Sequence, residues 1–325
     1  MVADVRVFFV CYPDSGATIG GVKQMYRQVE LLRGLGVEAY MLHQQPSFRA
    51  RWFTSSAPVI DLESFKALPP DPLRDWLVLP ETWAKVIPTY LLGFRKVVFN
   101  QNAYYTFGLA GEFNPSIVTA YQHADVRAVV TVSEDNRRLL QQALPLAPDC
   151  FHVVLNGIDP QLFHPPEVKH RRIAFLPRKN PQHAEAVQLL ARQRPVLSAY
   201  SFHPLVGLPH PQLAQQLRES LLFLNFGHPE GFGLPLAEAI ACGCVVVGYH
   251  GLAGRDFCRE ALYSVEVGDW LGCVDQLERA VQDFEADPQA RTRQLLQQAE
   301  QHLDRYSLER EQQRCEQVWT AILSV

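Results

Sequence analysis

The chain has 325 residues, of which 47% are hydrophobic and 20% are charged, a composition typical of a folded globular protein. Thirty basic and 34 acidic residues give a net charge of −4, which offers no overall attraction to nucleic acid or to an anionic membrane. Seven scattered cysteines without CxxC spacing, and apolar runs too short to span a membrane, predict a cytoplasmic protein without structural zinc.

The first 42 residues predict a strand–helix–strand unit. Val5 to Cys11 is an apolar run typical of a buried strand, and the loop from Tyr12 to Gly21 that follows contains Gly20 and Gly21. A helix is predicted from about Val22 to Arg33, and a second strand from Val37 to Leu42. The loop therefore leads into the N-terminus of a helix, and a helix N-terminus favours the binding of an anion.

Two common phosphate sites do not match this loop. A P-loop needs Gly-Lys-Ser/Thr, but Lys23 is separated from Gly21 by a valine and is followed by glutamine. A dinucleotide site needs an acidic residue after the second strand, where this chain has His43. A tight turn without any ligand stays an open alternative.

The middle of the chain predicts more strands of the same sheet. Pro46 to Pro72 is predicted to be irregular, and its basic and aromatic cluster from Phe48 to Phe53 fits either a lipid or acceptor surface or packing on the domain. The predicted strands are Trp76–Leu79, Lys96–Phe99, Ala128–Val132 and Phe151–Leu155. The polar residues Asn100, Gln101 and Asn102 follow the second of these strands. The turn-rich stretch from Asn156 to Pro160 indicates a hinge.

The βα alternation then restarts, which predicts a second domain. The predicted elements are the strands Ile173–Leu176, Val196–Tyr200, Leu221–Phe226 and Val245–Gly248, and the helices around 184–190 and 211–220. Three further helices end the chain, and the apolar face of the last one, from Ser307, needs a surface to cover it. We predict an α/β protein with domains at 1–160 and 161–306 that face each other across a cleft, and a final helix, 307–325, that returns to the first domain.

The stretch from His228 to Cys244 carries most of the chemistry. Gly231, Phe232, Gly233 and Leu234 would present backbone N–H groups at a helix start that Pro235 favours, which suits a diphosphate. Arg178 and Lys179, after the second domain's first strand, add positive charge for a phosphate leaving group.

Glu238 and Glu230 are the two acids of this stretch. Glu238, expected in the first turn of the helix, suits the two hydroxyls of a ribose, and Glu230 is left for sugar hydroxyls. The alternative interpretation is that both are solvated acids that merely complement the helix dipole.

The segment from Glu230 to Gly243 closely resembles the Glu-x7-Glu motif of retaining GT-B glycosyltransferases of family four. The resemblance extends over most of the chain, with Gly20-Gly21 similar to the family's N-terminal glycine loop and Gly207-Leu208-Pro209 similar to its segment near the donor base. It implies two Rossmann-like domains and transfer of a sugar from a nucleotide-diphosphate donor, with retention of configuration and without a metal or another cofactor.

The resemblance also implies roles for individual residues. Arg178 and Lys179 would bind the diphosphate, Glu238 the ribose and Glu230 the transferred sugar. The amides of Phe232, Gly233 and Leu234 would complete the site, and Gly20-Gly21 would meet the phosphates from the other side of the cleft.

Two features depart from the family pattern. The basic pair is adjacent here rather than spaced, and Asn100-Gln101-Asn102 stands where many members have a histidine near the reacting sugar, which makes these residues acceptor-side candidates. The acceptor, a glycan, a lipid-linked glycan or a small molecule, stays open, as does peripheral membrane contact. Two alternatives to a glycosyltransferase stay open. One is a phosphorylase or epimerase with the same fold, and the other is a protein that binds nucleotide sugars without transfer.

Overall fold

A computed structural model describes residues 5–11, 14, 17–69, 71–108, 113–258 and 261–324. The chain divides into two compact units. The first unit is Met1–Asn156 together with Glu309–Val325, and the second unit is Gly157–Leu308. No helix in these described ranges combines the length and the apolar character that a membrane crossing requires.

A parallel sheet forms the centre of the first unit. Its described strands are β1 Arg6–Val10, β2 Glu38–His43, β3 Val59–Asp61, β4 Asp75–Pro80, β5 Arg95–Asn100, β6 Val126–Thr131 and β7 Phe151–Val153. They are ordered β3-β2-β1-β4-β5-β6-β7, and all neighbouring pairs are parallel. The order reverses between β1 and β4, and such a reversal leaves a crevice at the carboxyl ends of the strands where ligands bind.

The central strands β1 and β4 are buried at every residue, which indicates that both faces of this sheet are covered. The helices are α1 Gly20–Gly34, α2 Leu62–Ala67, α3 Ala103–Thr106, α4 Ile117–Tyr121 and α5 Glu134–Ala143. Phe8 and Leu77, which pair in register on β1 and β4, are both fully buried. At the other end of the same strand pair, the buried Arg6 guanidinium donates to both carboxylate oxygens of Asp75, at 2.7 and 2.9 Å.

The second unit repeats the same architecture on a smaller sheet. Its described strands are β8 His170–Phe175, β9 Ser201–Pro204, β10 Ser220–Asn225, β11 Val245–Gly248 and β12 Leu262–Ser264. They are ordered β12-β11-β10-β8-β9 and all are parallel, so the order reverses between β8 and β10. Its helices are α6 Pro181–Ala191, α7 His210–Glu219, α8 Leu234–Ala241, α9 Trp270–Ala286 and α10 Pro288–Arg305.

The last helix, α11 Leu308–Leu323, packs within the first unit. Trp319 lies 5.8 Å from the ring of Phe9 and donates its indole N–H to Gln28 Oε1 at 3.3 Å. At the other end of the helix, the nearly buried Glu311 carboxylate accepts from Arg27 Nε at 3.0 Å. The apolar face predicted for this segment is therefore covered by α1 and β1.

An aromatic cluster lies beneath the loop that leads into α8. Phe232 contacts Phe257 and Tyr306 at ring distances of 5.4 and 5.5 Å, and His302 lies 4.8 Å from Tyr306. Burial, together with the nearby Arg305, lowers the pKa of His302 to about 4, so this histidine is neutral near pH 7. The cluster holds Phe232 in the interior and leaves only its backbone to line the loop.

Most of the predicted elements are confirmed, and side chains cap the helices α5 and α10. Ser133 is the N-cap of α5 and accepts from Asn136 N at 3.1 Å, and Asp287 caps α10 by accepting from Ala290 N at 2.9 Å. Pro235 lies in the first turn of α8, as the sequence predicts. Four residues of the predicted glycine loop, 12–13 and 15–16, fall outside the described residues.

The prediction of a strand at Val196–Tyr200 is wrong. Pro195–Leu197 is a 3₁₀ helix, and the strand β9 begins only at Ser201. Leu197 and Tyr200 reach the core from successive i→i+3 turns, with Leu197 N donating to Arg194 O and Tyr200 N donating to Leu197 O. A short apolar run fits either conformation, and Pro195 sets the helical turn here.

The prediction that 46–72 is irregular throughout is also wrong. β3 and α2 lie in this stretch, and Asp61 caps α2 by accepting from Ser64 N at 2.8 Å. The strand has only three residues and pairs on one side alone, with β2, so its local signal is weak. In the cluster before it, Phe53 packs edge-to-face on Tyr26 at 5.2 Å, which fits the packing interpretation.

Candidate active site

An ion pair joins the two loops that leave the sheet of the second unit at its switch point. Lys179 follows β8, Glu230 follows β10, and the Lys179 Nζ lies 2.9 Å from Glu230 Oε1. The same ammonium donates to the backbone oxygen of Pro229 at 2.9 Å. Both side chains are about one-fifth exposed, so the pair is accessible to a ligand at the edge where open α/β sheets bind them.

Asn180 connects the same two loops through its side chain. Its amide Nδ2 donates to Phe226 O at 2.9 Å, and its backbone is left-handed at φ +52° immediately before Pro181 starts α6. Asparagine tolerates this conformation better than most residues. Asn180 is not among the residues predicted for the site, although an asparagine directly before a helix-starting proline is a recognisable signal of such a turn.

Two glycines provide the space that Glu230 occupies. A Cβ on Gly227 would lie 2.9 Å from Glu230 Oε1, and a Cβ on Gly251 would lie 3.1 Å from Glu230 Cγ. Gly251 also has φ +68°, which favours glycine, and its carbonyl accepts from Glu230 N at 2.8 Å. The position of Glu230 is therefore fixed by the backbone on both sides, and neither glycine was identified from the sequence.

The loop of Gly231, Phe232 and Gly233 turns the chain into α8. Gly233 has φ +91° and precedes the helix without any side-chain cap, so the N–H groups of Leu234 and Leu236 have no intrahelical partner, and Pro235 between them has no N–H. Leu234 is the first helical residue. This arrangement is suited to an anion, because unpaired N–H groups and the helix dipole point to the same place.

Glu238 lies in the second turn of α8, so the prediction that it belongs to the first turn is wrong. The helix starts at Leu234, which makes Glu238 its fifth residue and moves the carboxylate about one turn from the N-terminus. Its side chain is 5% exposed, and His210 Nε2 lies 3.3 Å from its Oε1. Buried acids of this kind are held by hydrogen bonds, which argues against a solvated acid that only complements the helix dipole.

Arg178 and Gly207 are both exposed. Arg178, next to Lys179, forms no hydrogen bond or ion pair with any residue that the structure describes. Gly207 has φ +64° in the loop between β9 and α7. The two members of the basic pair therefore differ, because Lys179 is held by Glu230 whereas Arg178 extends into solvent.

In the first unit, Gly20 and Gly21 start α1, and Gln101 lies against Gly21. A Cβ on Gly21 would lie 3.1 Å from the side-chain amide of Gln101. Asn100 is fully buried and donates to Thr106 Oγ1 and Tyr121 OH, while Asn102 caps α3. Of the three acceptor-side candidates, Gln101 alone is not buried, and the roles of Gly20 and Gly21 toward phosphates stay predictions.

Glu81 is a buried acid at the switch point of the first unit, directly after β4. Its Oε2 accepts from Gln101 N at 3.0 Å, so this carboxyl holds the turn that carries Gln101. Burial raises the pKa of Glu81 to about 7, and hydrogen bonds from Gln101 and Asn102 only partly oppose this effect. The sequence shows Glu81 as one acid among many, because its burial depends on contacts that are distant along the chain.

One group of potential metal ligands occurs in the described part of the chain. Cys11, Asp14 and His43 place their ligand atoms within 4.8 Å of one another at the carboxyl ends of β1 and β2. His43 Nδ1 contacts Asp14 Oδ1 at 2.6 Å and its Nε2 contacts Tyr26 OH at 2.7 Å. Burial raises the pKa of Cys11 to about 12, so without a metal ion the thiol is protonated near pH 7, and the hydrogen bonds of the group join Asp14, His43 and Tyr26.

Glu81→Gln should change how stability depends on pH. Because the folded protein favours the protonated carboxyl, the contribution of Glu81 is complete below pH 4.5 and is lost as the pH rises to about 7. Relative to the variant, the free energy of unfolding of the wild-type protein should fall by on the order of 3 kcal/mol between pH 4.5 and about pH 8. Urea unfolding at a series of pH values measures this change. Glu134→Gln, at a half-exposed site on α5, is the matched control for the loss of a carboxylate; equal pH profiles for wild type and Glu81→Gln would contradict the prediction.

The sequence resembles that of an α-1,6-glucosyltransferase from Actinobacillus pleuropneumoniae serotype 7 (strain AP76). The two are 27% identical over 285 residues, which cover 83% of this chain and 79% of the relative. The chain matches no protein-family model.

Solved structures resemble the whole chain. Sucrose-phosphate synthase from Thermosynechococcus elongatus matches with a TM-score of 0.68 at 16% identity, covering 98% of this chain and 99% of the other. HepE of Anabaena, solved in complex with UDP and glucose, matches with a TM-score of 0.69 at 13% identity. The match covers 98% of this chain and 100% of HepE. At this identity the likeness shows the fold, and the two parallel sheets with their helices have the GT-B fold that the sequence predicts.

Proposed function

We propose that this chain is a glycosyltransferase that moves a sugar from a nucleotide-diphosphate donor to an acceptor hydroxyl with retention of configuration. The observation that carries the proposal is the Lys179–Glu230 pair at the switch point of the second unit, next to the uncapped start of α8. A diphosphate sugar needs a cation for its phosphates and an acceptor of hydrogen bonds for its sugar hydroxyls, and this pair offers both within 2.9 Å.

Positive charge for the leaving group comes from three sources. Lys179 would move from Glu230 to the phosphates, the exposed Arg178 would fold over them, and the first-turn N–H groups of α8 would donate to their oxygens. These groups stabilise the charge that develops as the bond from the sugar to the phosphate breaks. Because this charge is supplied by the protein, we propose that transfer needs no metal ion.

The two acids would divide the donor between them. Glu238 is buried one turn into α8, where a carboxylate can accept from both ribose hydroxyls without facing the phosphates directly. Released from Lys179 when the phosphates bind, Glu230 would accept from hydroxyls of the transferred sugar. Phe232 takes part only through its backbone, since its ring is held in the aromatic cluster.

Retention of the anomeric configuration is supported by the name of the relative, which specifies an α linkage in the product. The relative is an α-1,6-glucosyltransferase. Glucose is attached to its common nucleotide donors by an α bond, so an α product from this chain would require attack on the same face. The bond from C1 to the phosphate oxygen would break, the bond from C1 to the acceptor oxygen would form, and a leaving phosphate oxygen would take the acceptor proton.

On the acceptor side, the proposal rests on the first unit. Gln101 is the partly exposed member of the polar group after β5, and Glu81 fixes its backbone. We propose that its amide contacts the acceptor. The chemistry of Gln101 fits a hydroxyl-bearing acceptor, whether a free glycan, a lipid-linked glycan or a small molecule.

The proposal is tested by the release of nucleotide from a panel of UDP-, GDP- and ADP-sugars, with and without simple glycan acceptors. We expect one donor to be turned over, at the same rate when EDTA is present. Tight binding of a nucleotide sugar with no release on any acceptor would instead favour a protein that binds nucleotide sugars without transfer.

Glu230→Gln and Glu238→Gln should separate the roles of the two acids. We expect Glu238→Gln to raise the donor KM by about tenfold, because a buried hydrogen bond to a charged group is lost from the ground state and the transition state alike. Glu230→Gln should mainly lower kcat, because the position of the sugar matters most in the transition state. Unchanged kinetics in both variants would show that the acids have no part in the reaction.

A further inference from the structure

His210 is held in a fixed orientation beside Glu238. It is the first residue of α7 and lies between Pro209 and Pro211, whose rings restrict the backbone on both sides. Its imidazole packs edge-to-face on Phe163 at 5.1 Å, and Phe163 is itself buried. A ring that is restricted in this way loses little further freedom when it forms a hydrogen bond.

The imidazole is directed at the carboxylate of Glu238. Its Nε2 lies 3.3 Å from Glu238 Oε1, and the two side chains are 11% and 5% exposed. A buried carboxylate is costly unless it accepts hydrogen bonds, so a donor at this point holds it in one rotamer. A carboxylate has two oxygens and about four acceptor positions, and a hydrogen bond from His210 occupies one of these positions.

We propose that His210 is a positioning residue for the donor nucleotide, which aligns Glu238 to accept from the ribose hydroxyls. The inference rests on the proposed function, since it assigns His210 to the same site. His210 does not touch the reacting atoms. Its loss should therefore weaken recognition of the ribose and leave the transfer step intact at saturating donor.

The test compares nucleotides that differ only in the ribose. Among UDP, GDP and ADP, the one that binds wild-type protein most tightly is measured by calorimetry beside its 2′-deoxy counterpart. Wild-type protein should prefer the ribonucleotide. His210→Phe, which keeps a ring against Phe163, should weaken the ribonucleotide about tenfold and the deoxynucleotide little, so the preference falls. The donor KM should rise in step while kcat stays near the wild-type value.

Two further variants separate positioning from a general loss of structure. His210→Gln keeps an N–H donor and should restore most of the preference. Combining His210→Phe with Glu238→Gln should give the same preference as Glu238→Gln alone, because one residue acts through the other. Thermal unfolding of each variant without nucleotide verifies that it is folded.

Different results overturn different claims. If His210→Phe weakens both nucleotides equally and keeps the ribose preference, His210 supports the fold only and the inference is wrong. If the wild-type protein binds none of the three nucleotides, the proposed function itself fails.

Discussion

The candidate site depends on one electrostatic constraint, which is that Lys179 and Glu230 lie within 2.9 Å of each other at the point where the strand order of the second sheet reverses. Each charged group would be costly in a half-buried crevice without the other, and each is what a nucleotide sugar would bind. The surrounding backbone is built to allow this contact. Gly227 and Gly251 leave room for the Glu230 side chain, and Asn180 ties the loop after β8 to the loop after β10.

The interior of the second unit determines which atoms reach the site. The aromatic cluster of Phe232, Phe257, His302 and Tyr306 holds the Phe232 ring away from the surface, so the loop into α8 presents backbone N–H groups. Glu238, one turn further along α8, is buried rather than solvated. In the proposed function, the helix start would bind the phosphates and the buried acid one turn later would bind the ribose of the same donor.

The sequence predicts the fold well because its strands are buried on both faces and appear as continuous apolar runs. It also locates the segment from Glu230 to Gly243, since a buried strand, glycines, a proline and a second strand each have a local signature. It fails where the outcome depends on contacts distant in sequence. Val196–Tyr200 fits a strand or a helical turn equally, and nothing local in the sequence shows that the Glu81 side chain is buried or that His210 contacts Glu238. Asn100 and Asn102 look like exposed polar residues, yet they form hydrogen bonds inside the first unit.

The proposal that Lys179 leaves Glu230 to bind a diphosphate is tested by comparing the affinity for a nucleoside diphosphate with that for its monophosphate. The measurement uses wild-type protein, Lys179→Met, and Lys66→Met as a control at an exposed lysine of α2. We predict that wild-type protein and the control prefer the diphosphate, and that Lys179→Met loses about tenfold of this preference because a charge-assisted hydrogen bond is removed. An equal preference in all three proteins would contradict the account.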